Sequence, residues 1–238
     1  MKYIRLTLLL VLAISHSSYA QYADSIEFAR SKSQRVIRAL AAPAVLVTAG
    51  LAIKNQNESI QQLFRRPDDE QQNPNASRRT ADFTQYAPIA FVYGLNFMGN
   101  RGEHKLLKST SMLIQSEVLM IAMVRPLKYF TNELRPDGGT HSFPSGHTAQ
   151  AFLAATFLHK EFGQKSVWYS VAGYTMATAV GTCRMISNRH WASDVLVGAG
   201  IGILSTNIVY LGHKHRKVDK NKMTISAGPK SFFLAMKL

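Results

Sequence analysis

The chain has 238 residues, enough for one domain with a full hydrophobic core, and 46% hydrophobic against 18% charged residues excludes a disordered chain. A formal net charge of +14 predicts attraction to polyanions, whether nucleic acid, anionic lipid headgroups or phosphorylated substrates. No basic stripe interleaved with aromatics occurs, which argues against nucleic acid. The single cysteine, Cys183, excludes an intrachain disulfide and a multi-cysteine metal site.

Residues 1–20 have the form of a secretory signal. Lys2 and Arg5 precede the apolar run Leu6–Ile14, and Ser18-Tyr19-Ala20 supplies small residues where a signal peptidase reads. Cleavage after Ala20 is expected and leaves +12 on the mature chain; an uncleaved anchor is the alternative. Residues 21–85 combine the apolar run Leu40–Ile53, which carries Pro43, with a polar stretch from Asn55 to Asp82. That stretch is dense in Gln, Asn, Arg and Asp, including Arg65-Arg66 and Arg78-Arg79, and reads as a solvated loop.

Further apolar segments follow at Tyr86–Met98, Met112–Val124, Ala149–Leu158, Val167–Cys183 and Val195–Leu211. All are rich in Ala, Leu, Met and Gly and lack period-2 alternation, so each is expected to be a helix. The expected fold is therefore all-α, a bundle of about six core helices, membrane-associated. Each run is shorter than the ~20 residues that cross a bilayer, so spanning would need the flanks. A mean hydropathy of -0.06 is also low for a chain buried wholly in lipid. Gln115, Ser116 and Glu117 in one segment, and Ser205, Thr206 and Asn207 in another, would have to face the bundle interior.

Loop charge sets an orientation. Arg101, Lys105, Lys108, Lys160, Lys165 and the basic run from Gly212 to Lys217 are expected in the cytoplasm, with the segments around 125–147 and 184–194 on the outer face. With the leader removed, that arrangement needs an even number of earlier crossings, and Leu40–Ile53 is the candidate for not crossing. Residues 212–238 form a basic tail, in which Met223–Leu238 alternates weakly and is expected to be extended.

Three blocks concentrate reactive side chains. In the first, Lys128 and Arg135 lie seven residues apart before Pro136. Two helical turns would put both cations on one face if the helix continues so far. The second, Ser142-Phe143-Pro144-Ser145-Gly146-His147-Thr148, is a turn just before a helix. Its backbone amides and partial positive charge suit an anion, Ser145 adds a hydroxyl donor, and His147 can hold a proton for a leaving group. The third places His190 and Asp194 at i and i+4, a His–carboxylate pair, with Arg184 upstream.

Together Lys128-x6-Arg135-Pro136, Pro144-Ser145-Gly146-His147 and Arg184-x5-His190-x3-Asp194 resemble, in order and spacing, the signature blocks of the type 2 phosphatidic acid phosphatase superfamily. That superfamily also holds bacterial class A acid phosphatases and vanadium haloperoxidases. The resemblance extends over residues 86–211 as a catalytic helical core and adds nothing for residues 1–85. It departs at Cys183, where the family usually has Ser; a packed small residue is the expected reading. The resemblance implies a phosphatase without metal or other cofactor. In it, His190 is the nucleophile, Asp194 its orienter and His147 the proton donor, while Lys128, Arg135, Ser145, Gly146 and Arg184 bind phosphate. The implied substrate is a lipid phosphate or diphosphate at the outer face of a bacterial inner membrane: phosphatidate, phosphatidylglycerol phosphate, undecaprenyl diphosphate or the lipid A type. A soluble periplasmic acid phosphatase of broad specificity is the alternative, a vanadium-dependent haloperoxidase a remote one. Nothing in the chain indicates an oligomeric state.

Overall fold

The computed structural model describes residues 33–64, 80–215, 224–228 and 231–235. The expected leader and the Arg65-Arg66 and Arg78-Arg79 pairs lie outside them. The chain divides into two compact units, Met1–Ala41 and Ala42–Leu238. Within the first, residues 33–41 are helical.

The second unit continues the helical residues of α1 (Ser33–Ala52) and adds a 3-10 turn at Lys54–Gln56. Then come α2 (Asn57–Phe64), a helical turn α3 over residues 80–84, and α4 (Ala87–Phe97). The long helices α5 (Leu106–Thr131), α6 (Gly146–Phe162), α7 (Val167–Ile186) and α8 (Ala192–His215) complete the bundle. All six apolar segments are helical, and most of the helices outrun their apolar runs because polar flanks join the same hydrogen-bond ladder. The polar stretch from Asn55 to Asp82 is a correction: its described parts are helical, and Asn57 is buried rather than solvated. Of Met223–Leu238, the described residues are extended and paired, with Thr224–Gly228 (β1) antiparallel to Ser231–Ala235 (β2) and Ser226 opposite Phe233.

Helix α6 is the core. Its small residues Ala149, Ala151, Ala154 and Ala155 are buried, and Leu153, Phe157 and Phe162 are fully enclosed. Val92, Met112, Met120, Val124, Val197 and Ile201 pack around it from α4, α5 and α8. Helix α8 approaches so closely that a Cβ at Gly198 would lie 2.5 Å from Ser145 O, and one at Gly202 would collide with Ala149 O. Glycine spaced by four is what lets two helix backbones touch on one face. These contacts run α6 and α8 parallel, both starting at the same end, while α5 and α7 finish there.

At the opposite end, Glu161 fastens the loop before α5. Its carboxylate accepts from His104 N at 3.0 Å, pairs with His104 Nδ1 at 2.9 Å and accepts the Tyr210 hydroxyl at 2.6 Å. The outer face of α5 remains bare: Leu107, Ile114, Val118 and Ile121 are exposed. Among the described residues three helices, Ser33–Ala52, Leu106–Thr131 and Ala192–His213, are long and apolar enough to cross a membrane. The first includes Pro43, which does not end the helix, so the segment assigned to not crossing has the length and composition of a span.

Candidate active site

The end of α5, the start of α6, the end of α7 and the start of α8 meet at one end of the bundle, and these four ends with their adjoining loops bring the eight sequence-predicted residues. Lys128, in the last turn of α5, donates to His141 O at 2.9 Å and Ser142 O at 3.0 Å. Its ammonium is thereby held over the start of α6, where a Cβ at Gly146 would touch Lys128 Cε at 3.8 Å.

Arg135 reaches the site differently from the expected helical face. Asn132 takes a left-handed conformation and caps α5 at Thr131, so Arg135 belongs to the loop that follows. A turn places it: Arg135 N donates to Gly139 O at 2.7 Å, Gly138 N to Arg135 O at 3.0 Å, and Arg135 Nε to Thr140 O at 3.1 Å. Further ties hold this loop. Ser142 N donates to Glu133 O at 2.8 Å, Trp191 Nε1 to Leu134 O at 2.7 Å, and Arg189 pairs with Asp137 at 3.0 Å.

Ser145 is the N-cap of α6. Its side-chain oxygen accepts from Thr148 N at 3.4 Å and Thr148 Oγ1 at 2.9 Å, leaving its own hydrogen to donate. Ser145 N donates to Asp194 O at 3.0 Å, which locks the starts of α6 and α8 together. Gly146 and His147 follow at the helix N-terminus, partly exposed, where unpaired amides and the helix dipole favour an anion.

The third block forms the floor. Arg184, in the last turn of α7, is buried, and its carbonyl accepts Arg189 N at 3.0 Å and His190 N at 3.3 Å. His190 is 2% exposed, and its Nδ1 lies 3.3 Å from Asp194 Oδ2. That oxygen also accepts Trp191 N at 3.0 Å and the Ser142 hydroxyl. Nδ1 is thus turned to the carboxylate and Nε2 is the nitrogen left for chemistry. Arg135, Arg184 and Asp194 lie within electrostatic range of Lys128, and Lys128, Arg184 and Asp194 act likewise on His190. Burial holds His190 down to about 4, against the pull of Asp194, so the ring is neutral at physiological pH. Burial, then the Arg184 guanidinium, lower His147 below the ordinary imidazole range, and Asp82 opposes them. Among the described residues no three His, Cys, Asp or Glu side chains gather as a metal site.

Residues 106–217 match the model of the PAP2 superfamily, a stretch that contains all eight sequence-predicted site residues. That stretch is similar to a PAP2 domain. A lipid A 1-phosphatase from Porphyromonas gingivalis is 45% identical over 132 residues, which cover 53% of this chain and 29% of that protein. The chain therefore spans less than a third of that relative's length. The first transmembrane PAP2 type phosphatidylglycerolphosphate phosphatase from Bacillus subtilis has the same fold, with a TM-score of 0.56 over 78% of this chain and 100% of that one, at 19% identity. The crystal structure of Aquifex aeolicus LpxE aligns with a TM-score of 0.49, 24% identity, and coverage of 65% and 94%.

Around this PAP2-like stretch the structure adds residues that the three blocks do not assign. Ser142 stands in the second block, but its bond to Asp194 follows only from the folded loop. Asn57 and Gln61, on α2, bind the third block: Asn57 Nδ2 donates to Ser193 Oγ at 2.8 Å and Asn57 Oδ1 accepts Ser193 N at 3.2 Å. Gln61 Nε2 donates to Met185 O at 2.9 Å and Asn188 Oδ1 at 2.8 Å. Lys54 pairs with Glu133 at 3.0 Å and lies over the Phe143 ring. Cys183 packs against the alanine-rich contact of α6 with α7.

Proposed function

We propose that the chain is a phosphatase that removes phosphate from a membrane lipid through a phosphohistidine intermediate. The observation that carries this reading is the convergence of a neutral, carboxylate-oriented imidazole with three cations and a helix N-terminus at one end of the bundle. In this reading the phosphoryl group rests on the Gly146 and His147 amides and Ser145, among Lys128, Arg135 and Arg184. These cations neutralise the charge that spreads over the equatorial oxygens. His190 Nε2 attacks phosphorus as the bond to the leaving oxygen breaks, and His147 donates its proton to that oxygen. Asp194 stabilises the imidazolium that forms on His190. Water then attacks phosphorus, gives a proton to His147, and the P–N bond breaks to restore the neutral nucleophile.

A lipid substrate is favoured by the bare apolar face of α5 and by three helices with the length of spans. The 45% identity over 132 residues with a lipid A 1-phosphatase makes lipid A 1-phosphate the first substrate to test. The alternating helix directions support an outward-facing site: Arg101, Lys105, Lys108, Lys160 and Lys165 border the end of the bundle remote from the three blocks, the end that positive charge holds in the cytoplasm.

The test is a panel in detergent micelles: lipid A 1-phosphate, phosphatidylglycerol phosphate, phosphatidate and undecaprenyl diphosphate against p-nitrophenyl phosphate. Phosphate release from one lipid, with a kcat/KM well above that of the soluble ester, is expected. Equal or better turnover of the soluble ester, with no dependence on micelles, would return the chain to the soluble acid phosphatase reading.

A further inference from the structure

Outside the three blocks, one more carboxylate reaches the site. Asp82, in α3, places Oδ1 2.7 Å from His147 Nε2. Its neighbour Ala81 is 1% exposed and packs into the cluster of Ala151, Ala155, Ala177 and Val180, so the turn is anchored on α6 and α7. We propose that Asp82 is a positioning residue for His147, holding Nε2 so that Nδ1 faces the leaving oxygen.

The proposal rests on the reading of His147 as proton donor and extends it to a named nitrogen. The two His–Asp pairs of the site then use opposite ring atoms. Asp194 takes Nδ1 of His190 and leaves Nε2 for phosphorus; Asp82 takes Nε2 of His147 and leaves Nδ1 for the proton. The proton count closes on this geometry. The His147 imidazolium gives its Nδ1 proton to the leaving oxygen as the P–O bond breaks, and keeps its Nε2 proton on Asp82. The neutral tautomer that remains has its lone pair at Nδ1, the form that accepts a proton from the water attacking the phosphohistidine. The charged groups acting on His147 are Arg184, Lys128 and Asp82. Both cations, like burial, oppose its protonated form, and Asp82 supports it.

The test uses the full chain in detergent, comparing p-nitrophenyl phosphate, whose leaving group needs little protonation, with an alkyl phosphate, whose leaving group needs a proton. Asp82→Asn is expected to slow the alkyl phosphate about tenfold more than the aryl ester and to move the alkaline limb of kcat/KM to lower pH. Asp82→Glu is expected to restore part of both. Equal slowing of the two substrates with an unmoved limb, or no slowing, would overturn the proposal. His147→Ala run beside it separates the two levels: a bias against the alkyl phosphate in His147→Ala but not in Asp82→Asn rejects Asp82 alone. No bias in His147→Ala rejects the proton-donor reading itself.

Discussion

The Ser142 hydroxyl donates to Asp194 Oδ2, the oxygen that lies 3.3 Å from His190 Nδ1, and both Ser142 and Asp194 are wholly buried. One carboxylate oxygen therefore divides its charge between a serine, a backbone amide and the imidazole. Removing the serine donor leaves more of that charge for His190. Ser142→Ala is expected to raise the His190 pKa and move the acid limb of kcat/KM to higher pH. It is also expected to cost about 2 kcal/mol of stability, the usual loss for a buried hydrogen bond to a charged group. A pH–rate series and a thermal melt check both; an acid limb that stays in place or moves down would rule out the competition for Oδ2.

In the proposed mechanism the pH profile of the unaltered chain follows from two imidazoles with opposite tasks. His190 must be neutral, and burial holds its pKa at about 4, so activity is lost as pH falls through that value. His147 must be protonated, and burial with Arg184 lowers its pKa, so activity declines as pH rises through a value below 6.5. The kcat/KM profile of the free enzyme is expected to peak in mildly acid solution. A bound phosphate dianion favours both imidazolium forms, so the kcat profile is expected to lie at higher pH. Coincident profiles would contradict the assignment of these two residues.

His190→Ala is expected to abolish turnover of every ester while leaving inorganic phosphate binding measurable, because the cations and the α6 amides are untouched. Rapid acid or alkaline quenching of the unaltered chain with a 32P-labelled substrate is expected to trap label stable to alkali and labile to acid. Label trapped at the same level in His190→Ala would move the nucleophile elsewhere.

The helical core and the position of the three blocks were legible because both rest on local patterns, apolar runs of helical length and fixed spacing within each block. The route by which Arg135 reaches the site was not. Nothing in the spacing from Lys128 distinguishes a continued helix from a helix capped at Asn132 with a turn at Arg135–Gly139. The roles of Asn57 and Asp82 were hidden for a different reason. Their partners lie 136 and 65 residues away in sequence, in a stretch whose polar composition resembles a solvated loop. Polar side chains that bind a distant backbone leave no periodicity to read.

In the proposed mechanism Lys128, Arg135 and Arg184 supply in fixed positions the positive charge that divalent ions bring to phosphoryl-transfer sites built on metals. Activity is therefore expected to be unchanged by dialysis against EDTA. Vanadate, which takes the five-coordinate geometry of the transferring phosphoryl group, is expected to compete with substrate and to bind more tightly than phosphate. Inhibition constants for the two anions under one buffer check this. Loss of activity in EDTA, restored by a divalent ion, would assign the charge-neutralising role to a metal.

Asn57 caps α8 from outside its own helix: its amide accepts Ser193 N and donates to Ser193 Oγ, one residue before Asp194. Asn57→Ala would leave both Ser193 groups buried without their partner, at a cost of about 1–2 kcal/mol. The first turn of α8 would also lose the constraint that sets Asp194 against His190. A lower melting temperature and a fall in kcat larger than the change in KM are expected, since the groups proposed to bind phosphate lie on α5, the loop after it, α6 and α7. Asn57→Asp keeps the acceptor for Ser193 N and places a negative charge at a helix N-terminus, so it is expected to melt higher than Asn57→Ala. Melting of Asn57→Ala at the temperature of the unaltered chain, with kcat intact, would show that α2 merely lies beside the site.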